Sequence, residues 1–111
     1  MTDGRSTRRI TARNITGKRV EDRTARLFLI SGKVQGVGYR AFAAEAARRV
    51  GVAGWTRNLA DGRVAVEASG TAQQLEELEA LLRNGPRFSD VRGVEVGEVV
   101  VSERQGFIIH S

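Results

Sequence analysis

The stretch SGKVQGVGYRAF, Ser31 to Phe42, sets three glycines, a lysine and an arginine between an apolar run and an alanine-rich segment. A turn of this kind can point successive backbone N–H groups inward as an anion-binding concavity. A helix starting just after it adds unpaired donors and the positive end of its dipole. GKVQGVG itself carries no acidic side chain, so nothing in it competes with an anion. Arg40 falls in the first helical turn, where a cation opposes the dipole. An anion held between Arg40 and the turn would offset that cost, so the local mismatch points to function. On the turn alone, a glycine-rich connection that binds nothing is equally admissible. GVGYRA also matches the dinucleotide pattern G-x-G-x-x-A. A doubly wound fold needs more strand–helix units than 111 residues hold, and the acidic residue expected about 20 positions on falls near Thr56. The Walker pattern fails because Gly32-Lys33 stands at the wrong end of the turn.

A second stretch, GWTRNLADGRVAVEASG, runs from Gly54 to Gly70. Asn58 ends a strand just before an Asp61-Gly62 turn signal; it fits no apolar face and the turn does not require it. Asn is also a frequent ordinary turn residue. Trp55, the single tryptophan, is expected to pack against the core. Lys33 either draws an anion in or is a solvated loop lysine. Glu76, Glu77 and Glu79 fall on the polar face of a helix and read as solvated surface. His110 has no assigned task. The absence of Cys excludes disulfides, thiolate nucleophiles and Cys-based metal sites, and one His excludes a multi-histidine cage. No cofactor and no metal are therefore expected.

The elements that must position these residues are legible in outline. ARLFLIS is a short apolar run, read as a buried strand. YRAFAAEAARRVG spaces Tyr39, Phe42, Ala46 and Val50 at three to four residues and stops at Gly51, which predicts an amphipathic helix. VAGWTRN and RVAVEAS read as two strands joined by LADG. In the second, Val64, Val66 and Ala68 alternate with Arg63, Ala65, Glu67 and Ser69 and predict one buried face. Thr71 is a plausible N-cap for a helix whose stripe is Leu75, Leu78 and Leu82 and which Asn84-Gly85-Pro86 ends. VRGVEVGEVVV reads as a strand with a bulge at Gly93 or Gly97, and GFIIH as a short edge strand. Two crossover units and one hairpin predict an α+β fold, a split βαβ: an antiparallel sheet with both helices on one face.

Composition fits one folded domain, expected over residues 23–111. Residues 1–22 hold Arg5, Arg8, Arg9, Arg13, Lys18 and Arg19 against Asp3, Glu21 and Asp22, and read as a disordered basic tail. Weak contact with nucleic acid or an acidic surface is one use for it; a solvated extension is the simpler one. No apolar run approaches membrane-spanning length and the first residues have no apolar signal core, so the default expectation is a cytoplasmic protein. An RNA-binding sheet is the main rival reading, but the central strands carry no set of exposed aromatics to stack bases. No nucleic-acid or membrane partner is expected.

GKVQGVGYR (Gly32 to Arg40) and GWTRNLADGRVAVEASG resemble the two signatures of the acylphosphatases. The resemblance spans about residues 25–111, with two departures: Tyr39, where Phe is common, and Thr56, where a small apolar residue is usual. It implies a ferredoxin-like βαββαβ fold and an acyl phosphate substrate. The phosphate would rest on backbone N–H groups of Lys33, Val34, Gln35, Gly36 and Val37 and on the Arg40 guanidinium, and Asn58 would orient the attacking water. Products would be a carboxylate and inorganic phosphate, the latter also an inhibitor, and the protein would act as a monomer. A noncatalytic domain binding phosphate or carbamoyl phosphate within a larger assembly is the second rival; there Asn58 would have no task. The absence of a base, nucleophile or metal ligand set suits this substrate. Its leaving group is a carboxylate with a conjugate-acid pKa of about 4, and phosphoryl transfer depends mainly on positioning and charge stabilisation.

Overall fold

Apolar residues alternating with polar ones force the central strands to bury one face, and two helical stripes supply its cover. The computed structural model describes residues 23–111, in the order β1 (Arg23–Lys33), α1 (Tyr39–Val50), β2 (Ala53–Asn58), β3 (Val64–Thr71), α2 (Ala72–Asn84), β4 (Asp90–Val99) and β5 (Phe107–Ile109). The basic tail expected at residues 1–22 lies outside the described residues. The sheet order is β4-β1-β3-β2-β5. The first four strands pair antiparallel, as expected, whereas β5 joins the edge of β2 in parallel, Gly54 opposite Phe107 and Thr56 opposite Ile109. The sheet is thus mixed at one edge.

Both helices contribute to one core: Phe28 and Ile30 of β1 and Val64, Val66 and Ala68 of β3 meet Tyr39, Ala43 and Ala47 of α1 and Leu75, Leu78 and Leu82 of α2. The leucine stripe of α2 lies where its spacing predicts, each leucine fully buried, contributing about 1.5–3 kcal/mol apiece. Thr71 caps α2 in a reciprocal capping box with Gln74. In α1 the contact face is mostly alanine, with Phe42 and Val50 only partly buried beside it. Small side chains let this helix approach the sheet closely.

Two expectations are modified, for β3 and Trp55, and the bulge is found at the first of its two expected positions. On β3, Ala65 and Ser69 are buried as well, because both flanking strands shadow these small residues. The register shift in the β1–β4 ladder falls beside Gly93, where Ser31 pairs with Gly93 and Gly32 already with Val91; Gly97 pairs regularly with Leu27. Trp55 stands outside the core. Thr56 opposes Val66 and faces inward, so Trp55, opposite Glu67, must face the other way. There it is half-buried, with the Arg57 guanidinium 5.4 Å and the His110 ring 5.8 Å from its own ring.

Candidate active site

The β1–β4 ladder ends with Lys33 opposite Asp90, and the first bond on the helix side runs from Phe42 N–H to the Gly38 carbonyl at 3.1 Å. Val34 to Val37 therefore lie between the sheet ladder and the helix. The N–H groups of Tyr39, Arg40 and Ala41 precede the first intrahelical bond, as at every helix start. No side chain caps this end and no acidic residue stands in its first turn. The turn is built by Gly36 (φ 78°) and Gly38 (φ 80°), left-handed conformations that suit glycine. A Cβ at either would meet no atom within 4 Å. Glycine is needed there for backbone conformation, and the space above the turn is open.

That space is a cleft of about 260 Å³, lined by Val34, Gly36, Gly38, Tyr39, Arg40, Ala41, Asn58 and Ile109. Arg40 and Asn58, 18 positions apart in sequence, thus share one cavity. Arg40 Nη1 donates to the His110 carbonyl at 2.6 Å, and no carboxylate pairs with its guanidinium among the described residues. The remaining N–H groups of the fork stay available for an anion. Asn58 is half-buried, and its side chain makes no hydrogen bond among the described residues. The hairpin beside it is closed by others: Leu59 N–H to Arg63 carbonyl at 2.8 Å, Gly62 N–H to Leu59 carbonyl at 3.2 Å, and the Asp61 carboxylate accepting from Arg63 N–H and Nε. Those bonds to Arg63 hold the Asp61 pKa below its ordinary value, the backbone N–H bond most of all. The turn makes no use of the Asn58 amide.

Of the five residues expected to cradle phosphate through the backbone, Val34 and Gly36 line the cleft. Lys33 is exposed at the end of β1, the Val37 side chain packs beside the core, and the Gln35 side chain turns to the β2–β3 hairpin. The structure adds Gly38, Tyr39 and Ala41 at the helix start and Ile109 of β5. The helix-start residues follow from the turn; Ile109 and the His110 carbonyl carry no sequence signal. The Tyr39 hydroxyl is buried and donates to the Leu82 carbonyl at 2.7 Å, and burial raises its pKa above the ordinary range. The hydroxyl of Thr56, the other departure, is buried and donates to the Ala65 carbonyl at 2.9 Å. Among the described residues, no three His, Asp or Glu side chains come together as a ligand set, and no helix is long and apolar enough to cross a membrane.

A mixed five-stranded sheet, four of its strands in split βαβ order, whose glycine turn and helix start open onto an arginine that no described carboxylate pairs, defines a small α+β domain of the ferredoxin-like class. The family follows from comparison. The acylphosphatase family model matches residues 26–109. An acylphosphatase from Solibacter usitatus is 49% identical over 85 residues, 77% of this chain and 88% of its own length. The crystal structure of acylphosphatase from Bacillus subtilis superposes with a TM-score of 0.77 at 32% identity, covering 79% of this chain and 99% of that one. An acylphosphatase from Coxiella burnetii gives a TM-score of 0.78 at 31% identity, covering 81% and 95%. The chain belongs to the acylphosphatase family, a family of hydrolases.

Proposed function

We propose that this chain hydrolyses acyl phosphates to a carboxylate and inorganic phosphate without a metal, using Arg40 and Asn58. The observation that carries the reading is the one cleft shared by the α1 start, the Arg40 guanidinium, which no described carboxylate pairs, and the Asn58 amide, which makes no side-chain hydrogen bond among the described residues. The phosphoryl oxygens accept from N–H groups of the Lys33–Val37 turn and the helix start, and from the Arg40 fork in bidentate fashion. The Asn58 side-chain oxygen accepts from a water and aims its lone pair at phosphorus, in line with the leaving carboxylate. As the new P–O bond forms, the acyl-oxygen–phosphorus bond breaks and its electron pair leaves on the carboxylate. A phosphoryl oxygen takes the water's proton. With a leaving-group pKa of about 4 no general acid is needed, and charge stabilisation by preorganised donors supplies the main rate effect. Inorganic phosphate meets the same donors and inhibits, and one subunit contains every group the reaction uses.

The test is phosphate release from benzoyl phosphate or acetyl phosphate by the purified chain in EDTA. Turnover that survives chelation supports the reading. No release, or complete loss on chelation restored by one divalent ion, overturns it.

A further inference from the structure

Gln35 stands in the middle of the glycine turn, yet its side chain reaches away to the β2–β3 hairpin. Its Nε2 donates to the Leu59 carbonyl at 2.8 Å and to the Arg63 carbonyl at 2.9 Å. These two carbonyls form the neck of the hairpin, one directly after Asn58 and the other directly before Val64. Neither depends on Gln35 for a partner. The Leu59 carbonyl already accepts from Gly62 N–H, and the Arg63 carbonyl from Leu59 N–H. The amide therefore joins two segments rather than completing one. Among the described residues, no other hydrogen bond links residues 34–38 to residues 58–64.

We propose that Gln35 is a positioning residue that locks the Asn58 hairpin to the phosphate turn and so sets where the attacking water lies relative to phosphorus. The inference rests on the roles assigned above to Arg40 and Asn58. Two N–H bonds to the two strands of the neck restrain both its approach and its twist. Only a double donor serves, since any acceptor at that point would face two carbonyl oxygens. A displacement of about 1 Å at the nucleophile is enough to slow such a reaction substantially.

Gln35→Met keeps the side chain's length and removes both donors. The neck retains its own two bonds, so the variant folds. Turnover of benzoyl phosphate is expected to fall about tenfold, with the inhibition constant for inorganic phosphate within about twofold of wild type, because the phosphate donors are untouched. In an Asn58→Ala background the same substitution should cost nothing further, since Gln35 acts only through Asn58. Gln35→Glu supplies a second readout. Ionised, it sets a carboxylate against two carbonyls and should be slower than Gln35→Met near neutral pH. Its rate relative to wild type should recover toward about pH 5, as a protonated carboxyl regains one donor. Full activity of Gln35→Met, an undiminished tenfold loss on the Asn58→Ala background, or a pH-independent Gln35→Glu ratio would each overturn the assignment. A fully active Asn58→Ala would instead refute the site reading, and this inference with it. A slow Asn58→Ala beside a wild-type-like Gln35→Met refutes the Gln35 role alone.

Discussion

Arg40 and Asn58 have different tasks in the proposed reaction, and their variants separate binding from catalysis. Arg40 meets phosphate in the ground state and the transition state alike. Arg40→Ala should therefore weaken inhibition by inorganic phosphate and nearly abolish turnover, and lysine should rescue poorly because a point charge cannot reproduce a planar fork. Asn58 touches only the water. Asn58→Ala should leave phosphate inhibition near wild type while turnover falls about a hundredfold, as for loss of a transition-state hydrogen bond. Steady-state kinetics with phosphate as inhibitor measures both, and equal phosphate affinity in the two variants would refute the division. Both candidates stand out in the sequence, for opposite reasons. Arg40 is badly placed for its own helix, and Asn58 stands beside a turn that Asp61 and Gly62 already explain. What holds Arg40 was not legible. The His110 carbonyl lies 70 residues away in sequence, and every residue has a backbone carbonyl.

At the scale of elements, Tyr39 joins the two helices. Its hydroxyl reaches the Leu82 carbonyl, one of the last four of α2, which has no intrahelical donor. Tyr39→Phe should lower stability by about 1–2 kcal/mol, the effect of leaving a buried carbonyl unpaired, measured by urea unfolding. Its pH dependence has a definite sign. Burial raises the folded-state pKa above the unfolded value of about 10. Above that pH the folded chain binds more protons than the unfolded one, so stability falls as pH rises. Tyr39→Phe should lose less stability between about pH 9 and pH 11 than wild type; an equal loss would show that Tyr39 is not the group responsible. The helices and central strands could be read from period, caps and turn signals. The direction of β5 could not. Three residues, Phe107–Ile109, have too little pattern to specify a partner, and the strand is held by Gly54 N–H to the Gly106 carbonyl, His110 N–H to the Thr56 carbonyl, and Arg48 and Arg40 on carbonyls at either end.

For the whole molecule, the described fold begins at Arg23 and the family match at residue 26. Deleting residues 1–22 should leave acyl phosphate turnover essentially unchanged. A drop beyond about tenfold, some 1.4 kcal/mol of barrier, would require that segment at the site. The last connection shows what the chain's length permits. From β4 at one edge to β5 at the other, residues 100–106 must cross four strand spacings, about 19 Å, within the roughly 24 Å that seven extended residues can span. By itself the sequence determined the helices and strands, the sheet's buried face, the glycine turn before α1 and the two candidate side chains, Arg40 and Asn58, that share its cleft. These depend on spacing along the chain and on local conflicts between residue type and position. Only the tertiary structure decided that Trp55 faces away from the core, that β5 runs parallel to β2, that Ile109 closes the cleft, and that Gln35 ties the turn to the hairpin. Each depends on which segments meet across the sheet. Backbone carbonyls and strand edges accept partners from any residue type, so those meetings leave no trace in residue identity.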